Sequence, residues 1–183
     1  KSKILPKKKK SFCETFVYEP ENIEELSLGN LYLLGKLEQV PEDLEHLINL
    51  LSSIIKREYY KNPQNGSLKS LEQSLKATNQ HLSNLAQRGN LKWLGRLSFL
   101  GMTICQNELV FTQTGPACAF LFRDSHLLDI SKKLIPSPEN PHPQKIFQSV
   151  VSGKIEPEDT VILATKELSN LISCRGLKQI ICS

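Results

Sequence analysis

Two helical patterns set back to back, each carrying one apolar stripe, constrain the fold of this chain more than any other feature. The first opens at Pro41, whose missing N–H suits a first helical turn, with Glu42 and Asp43 near the positive end of the dipole. Leu44, Leu47, Ile48, Leu51, Ile54 and Ile55 then recur at helical spacing, which predicts helix to about Tyr59. The loop Asn62-Pro63-Gln64-Asn65-Gly66 leads to the second pattern, capped by Ser67. Its stripe is Leu68, Leu71, Leu75, Thr78, Leu82 and Leu85, and Gly89 ends it. Each stripe needs an apolar layer to cover it, and the flanking segments supply strands.

Runs at about 12–18 (Phe12, Phe16, Val17, Tyr18) and 30–37 (Leu31, Tyr32, Leu33, Leu34) precede the helices, with Glu19-Pro20-Glu21-Asn22 as punctuation. After Trp93, the segments 96–105, 108–114 and 117–123 are joined by Gln106-Asn107 and Thr114-Gly115-Pro116 and read as consecutive antiparallel strands. Pro136, Pro138, Pro141 and Pro143 mark an exposed loop. Beyond it, Gln144 to Ser152 is expected as a short helix stopped at Gly153. Glu156-Pro157-Glu158-Asp159 is expected as a turn, Thr160 to Ala164 as a strand, and Lys166 to Ile172 as helix. That order predicts an α+β layered domain with sheets sandwiched between helices.

At 183 residues and 39% hydrophobic, the chain suits one globular domain, here residues 12–183, behind a basic flexible arm at 1–11. Lys1, Lys3, Lys7, Lys8, Lys9 and Lys10 supply much of the net charge of +4. Without them 17 basic residues face 19 acidic ones, a balance of −2. The basic character belongs to the arm, which argues against a nucleic-acid partner for the domain. Cys13, Cys105, Cys118, Cys174 and Cys182 show no CxxC and no metal-ligand spacing with the histidines. Free thiols beside apolar strands favour a reducing cytoplasm, and neither a signal peptide nor a membrane span is visible.

Four segments, in order, carry a resemblance: the strand before the first helix, "ATNQHLSNLAQ", "GPACAFLFRDSHL" and "VVSGKIEPEDTVILATKELSNLIS". Together they resemble the metal-dependent serine/threonine protein phosphatases of the PPM type, which show "GDSRAYLxRxGxL" and "SGxLxPGDxLLLxTDGL" at the last two. The resemblance spans about residues 12–173. It implies a four-layer α-β-β-α sandwich of antiparallel sheets flanked by helices, with a strand-turn-strand at "GPACAFLFRD". The family's closing "DN" has no counterpart before Ser183, so the resemblance also implies a chain cut short at its C-terminus.

Active PPM members hold two divalent cations on aspartates at strand ends, because bridging metals lower the pKa of a water and make it a nucleophile. Mg²⁺ or Mn²⁺ needs anionic oxygen ligands, whereas a lysine brings an ammonium with no lone pair. The stretch matching the family's "VVADG" is Leu33-Leu34-Gly35-Lys36-Leu37, so Lys36 stands at the first ligand position. Thr165-Lys166-Glu167-Leu168 matches "TDGL", which puts Lys166 at the second, with Glu167 beside it. Pro116 replaces the aspartate of "GDS", and Ala117 and Cys118 follow it.

Three readings follow from these residues. The first is a pseudophosphatase: no catalytic residue, no cofactor, no metal, and a role as a binding or regulatory module for an unidentified protein partner. The second is a divergent phosphatase whose Mn²⁺ or Mg²⁺ site is rebuilt from Glu38, Glu167 and Asp129 or Asp159. The third is phosphate recognition without hydrolysis, with Lys36 and Lys166 as cation substitutes. No GxSxG, GxxxxGK[ST], HExxH or GxGxxG occurs, and His46, His81, His126 and His142 are read as surface or packing residues and not as general bases.

Overall fold

The computed structural model describes residues 10–134, 141–171 and 176. These form strands β1 (Lys10–Tyr18), β2 (Asn30–Val40), β3 (Leu97–Cys105), β4 (Glu108–Thr114), β5 (Cys118–Arg123), β6 (His126–Asp129), β7 (Val150–Lys154) and β8 (Thr160–Ala164). The helices are α1 (Leu47–Tyr60), α2 (Ser67–Gln87) and α3 (Lys166–Leu171). One sheet has the order β1-β2-β3-β4-β7 and the other β6-β5-β8, with every pairing antiparallel. The fold is thus α+β, a sandwich in which α1 and α2 cover one face of the larger sheet and the smaller sheet covers the other.

Alternation along the strands builds two cores. Leu31, Leu33 and Leu37 of β2 pack with Phe99 and Val110 against Leu51 and Ile55 of α1 and Leu71, Leu75 and Leu82 of α2. On the opposite face, Leu34, Leu100, Met102, Leu109 and Phe111 meet Ala117, Ala119 and Leu121 from the smaller sheet. Strand β3 is covered on both sides, which is why it reads as a nearly unbroken apolar run. A smaller cluster of Phe120 and Ala164, with Cys118, Leu127 and Ile162, lies on the far face of the three-stranded sheet, and α3 follows β8.

Several sequence expectations need correction. Pro41 is extended (φ −62°, ψ 155°) and Glu42–Leu44 form a separate 3-10 turn, so α1 starts only at Leu47. Gly66, at φ +76°, is the cap residue of α2; Ser67 is already helical and its hydroxyl meets Glu108 at 3.3 Å. Gly89 does end α2: its N–H bonds to Ala86 and that of Asn90 to Leu85, the paired pattern of a Schellman stop. Strands β4 and β5 are not neighbours, because Gly115-Pro116 carries the chain from one sheet to the other. The strand-turn-strand expected within "GPACAFLFRDSHL" is the β5–β6 hairpin, turned by Asp124 and Ser125 at φ 47° and 61°.

Residues 144–152 do not form the expected helix. Val150 to Lys154 are strand β7, and Gly153 pairs with Leu109 in place of stopping a helix. The β-branched pair Val150-Val151 finds an unpaired edge of β4, and sheet pairing outweighs the helical spacing. Strand β1 takes in Lys10 and Ser11, and Lys10 forms an ion pair with Glu42. Lys1, Lys3, Lys7–Lys9, Pro136, Pro138, Ile172, Cys174 and Cys182 lie outside the described residues.

The end of α1 is pinned to the sheet by two phenols. Tyr59, fully buried, has its hydroxyl 2.6 Å from both the Leu28 carbonyl and the Thr103 hydroxyl. The Tyr60 hydroxyl lies 2.9 Å from the Gly29 carbonyl and 3.1 Å from that of Tyr18. Burial raises the pKa of both phenols, so they stay protonated. Gly29 itself has φ +70°, and a Cβ there would collide with the Ile104 carbonyl oxygen. Gly29→Ala is therefore expected to cost about 2–4 kcal/mol, read as a lower urea midpoint at unchanged slope. Tyr59→Phe should cost about 1–2 kcal/mol in the same assay.

Candidate functional site

The alternation of β2 decides where Lys36 goes. Leu31, Leu33 and Leu37 face the helices, so Tyr32, Leu34, Lys36 and Glu38 share the face turned towards the smaller sheet. Lys36 lies opposite Cys13 of β1 and Ser98 of β3. Its side chain is only 13% exposed, and its ammonium donates to Glu38 Oε1 at 2.7 Å and to Glu167 Oε1. Glu167 sits in the first turn of α3, so the end of β2 and the β8–α3 junction, 131 residues apart, meet at one ion-paired triad.

Pro116 is exposed in the crossover between the sheets and lines a cavity of about 200 Å³ with Glu38, Arg96, Ser98, Thr114 and Gly115. A Cβ on Gly115 would lie 2.9 Å from Ser98, the residue paired with Lys36, and its φ is +66°. Lys36, Pro116 and Glu167 therefore gather at one end of the sandwich, and Lys166, exposed, adjoins them as the first residue of α3. One contributor escaped the sequence reading. Arg96 donates through Nη1 to the carbonyl of Gln39, a non-glycine residue at φ 51° that follows Glu38. No spacing in the sequence signals this contact, because it depends on the irregular end of β2, where the pairing with β1 shifts register.

Charge at the triad is one ammonium against two carboxylates. Burial alone would lower the Lys36 pKa; hydrogen bonds to Glu167 and Glu38 outweigh it and raise the value. The Glu167 carboxyl is pushed down to about 2, first by Lys36 and then by its own amide and the Thr165 hydroxyl. Burial pushes the Cys13 thiol up, against the opposing pull of Lys36, so the neighbouring cysteine is not an activated nucleophile.

The other carboxylates considered for a metal are engaged elsewhere. Asp159 accepts from Arg123 Nε at 2.8 Å and Nη2 at 2.5 Å, and takes the Glu156 N–H at 2.7 Å. Asp129 accepts the Ser131 N–H at 3.1 Å and also its hydroxyl. Among the described residues, no three or more His, Cys, Asp or Glu side chains are grouped to hold a metal ion.

Glu167 titrates at about 2 in the folded chain against an ordinary 4.5, so its contribution to stability is complete above 4.5 and is lost as the pH falls towards 2. Glu167→Gln removes that contribution. The urea midpoint of the variant is expected below that of the wild type at about pH 6, with the gap narrowing below about pH 4.5 and closing only near pH 2.

No family model matches the chain, and no curated protein matches it. Solved structures do. The Mycobacterium tuberculosis serine/threonine phosphatase PstP/Ppp superposes with a TM-score of 0.61 at 14% identity, covering 92% of this chain and 84% of the other. PppA of Pseudomonas aeruginosa, described as a key regulatory component of T6SS, gives 0.61 at 12% identity over 95% and 86%. The catalytic domain of PstP in complex with two manganese ions gives 0.60 at 13% identity over 93% and 84%. The β1–β2 and β3–β4 strands, the two long helices and the sheet crossover thus assemble into the fold of the PPM-type serine/threonine phosphatases.

Proposed function

We propose that this domain does not hydrolyse phosphate esters by a metal-bound water and serves as a protein-binding or regulatory module. The observation that carries the reading is the Lys36 ammonium bridging Glu38 and Glu167. A divalent cation needs the lone pairs of those carboxylates; Lys36 already takes them and presents a positive charge in their midst. The residues present do not fit a pair of divalent cations, and no hydrolytic step is assigned to them. Lys36, Pro116, Lys166 and Glu167 are, on this reading, the degenerate positions of a PPM site. Both long helices, the two cores and the larger sheet persist around them, so the scaffold is kept while the metal-binding end is neutralised.

The divergent-phosphatase reading is less well supported, since Asp129 and Asp159 are engaged by Ser131 and Arg123 and do not turn to Glu38 and Glu167. Phosphate recognition is also less well supported. The Lys36 side chain is only 13% exposed and its ammonium is taken up by Glu38 and Glu167, so its charge is not offered outward to a phosphate. Among the described residues no helix is long and apolar enough to cross a membrane. We assign the domain to the cytoplasm on its thiols, of which Cys13 and Cys105 form no disulfide.

Hydrolysis of para-nitrophenyl phosphate in excess Mn²⁺ tests the reading. The wild type is expected to release no more product than buffer. Chelator-sensitive turnover would contradict it. Lys36→Asp puts a third carboxylate beside Glu38 and Glu167, so this variant is expected to melt lower than the wild type and to be restabilised by Mn²⁺, which leaves the wild-type melting temperature unchanged.

A further inference from the structure

Strand β1 ends the larger sheet: β2 pairs with one side of it, and no described strand pairs with the other. An open edge is a template for a further strand, and proteins ordinarily blunt it with charges, proline or a bulge. Here the register shift falls between Lys10 and Phe12, and Pro20 lies past the strand's end. Phe12 to Tyr18 therefore form a regular edge, in which Glu14 is the one charged residue.

Both faces of that stretch are partly bare. Cys13, Thr15 and Val17 are exposed on the face turned away from the helices, Val17 to 61%. Phe12, Phe16 and Tyr18 point to the helix side and are only partly buried against its core. Charge is divided between the two ends of the strand. Lys7, Lys8, Lys9 and Lys10 stand at its start in the sequence, and Glu19, Glu21, Glu24 and Glu25 follow its end. Lys10 is held by Glu42 and Glu21 by Lys56, whereas Glu19 and Glu24 make no ion pair with a described residue.

This division of charge selects the occupant of the edge. A strand laid antiparallel on β1 must carry a basic start and an acidic end to match it, and β1 itself has both. A two-fold axis perpendicular to the sheet sets the basic start of each copy beside the acidic end of the other. Such an axis opposes residues of the same face, so it passes through a residue position. Centred on Glu14, it would set two carboxylates against each other, which destabilises the pair. Centred on Thr15, it opposes Phe12 with Tyr18, Cys13 with Val17 and Glu14 with Phe16. That register uses the whole regular stretch and brings no like charges together.

We infer that the chain pairs with a second copy of itself through β1, antiparallel and with Thr15 on the two-fold axis, so that the larger sheet of one copy continues into that of the other. The main-chain groups of the open edge supply the bonds, and the alternating side chains fix the register. The inference does not rest on the functional reading of the Lys36 end.

Sedimentation equilibrium of the full chain is expected to show a reversible dimer at or below about 100 µM. Thr15→Cys tests the register. Opposed residues of antiparallel strands have Cα atoms about 4.5–5.5 Å apart, within the span of about 4.4–6.8 Å that a disulfide bridges. In a Cys13→Ser background, Thr15→Cys is expected to cross-link in oxidised glutathione, and Cys13→Ser alone is not. Native Cys13, opposite Val17, stands about 13 Å along the strand from its counterpart and is out of reach. Val17→Lys, at an exposed position, puts an unpartnered ammonium into the joined edge. It is expected to weaken the dimer at least about tenfold, with the melting temperature unchanged at concentrations where both proteins are monomers. The inference is overturned by a chain that stays monomeric at about 100 µM, by Thr15→Cys that does not cross-link, or by Val17→Lys that dimerises as the wild type does.

Discussion

Burial of the central strands on both faces is the constraint from which the rest of the structure follows. β3 sits between β2 and β4 with helices on one side and a second sheet on the other, and its first seven residues are buried. Once β2 pairs with β3 in register, every odd position of β2 from Leu31 to Leu37 must face the helices. Every even position must then face the second sheet. Lys36 is an even position. A lysine there cannot reach water freely, and the fold supplies carboxylates on both sides of it: Glu38 two residues on and Glu167 from the far end of the chain. Register, burial and charge pairing are one linked requirement, because an ammonium in that setting is stable only when partnered.

Much of this architecture is legible in the sequence. The two amphipathic helices announce themselves by spacing, and the segments 96–105 and 108–114 mark β3 and β4 to within a residue. What the sequence does not reveal is partnership. Thr114-Gly115-Pro116 has the composition of a hairpin turn, but it is a crossover, because Ala117, Ala119 and Leu121 have a second apolar face to cover. Residues 144–152 carry apolar spacing compatible with a helix, and only the open edge of β4 makes Val150 to Lys154 a strand. Such outcomes depend on which long-range edge is vacant, and local propensity holds no record of that.

Sequence motifs name positions at this end of the sandwich but not their bonds. A pattern of motifs singled out Lys36, Pro116, Lys166 and Glu167, and the fold brings Lys36, Pro116 and Glu167 to one end of the sandwich. That Lys36 is clamped between two carboxylates could not be read from residues 131 positions apart. This clamp changes the chemical meaning of the position. An exposed lysine could attract phosphate; one that is 13% exposed and bound by two anions cannot offer its charge outward.

The central claim is that Lys36 takes the lone pairs a divalent cation would need. Titrating Mn²⁺ into isotopically labelled wild-type protein tests it most directly, because a bound paramagnetic ion broadens the resonances nearest to it. Lys36, Glu38 and Glu167 are expected to show no more broadening than exposed carboxylates elsewhere, such as Glu24. Selective loss of those three signals at low Mn²⁺, reversed by chelator, would contradict the account.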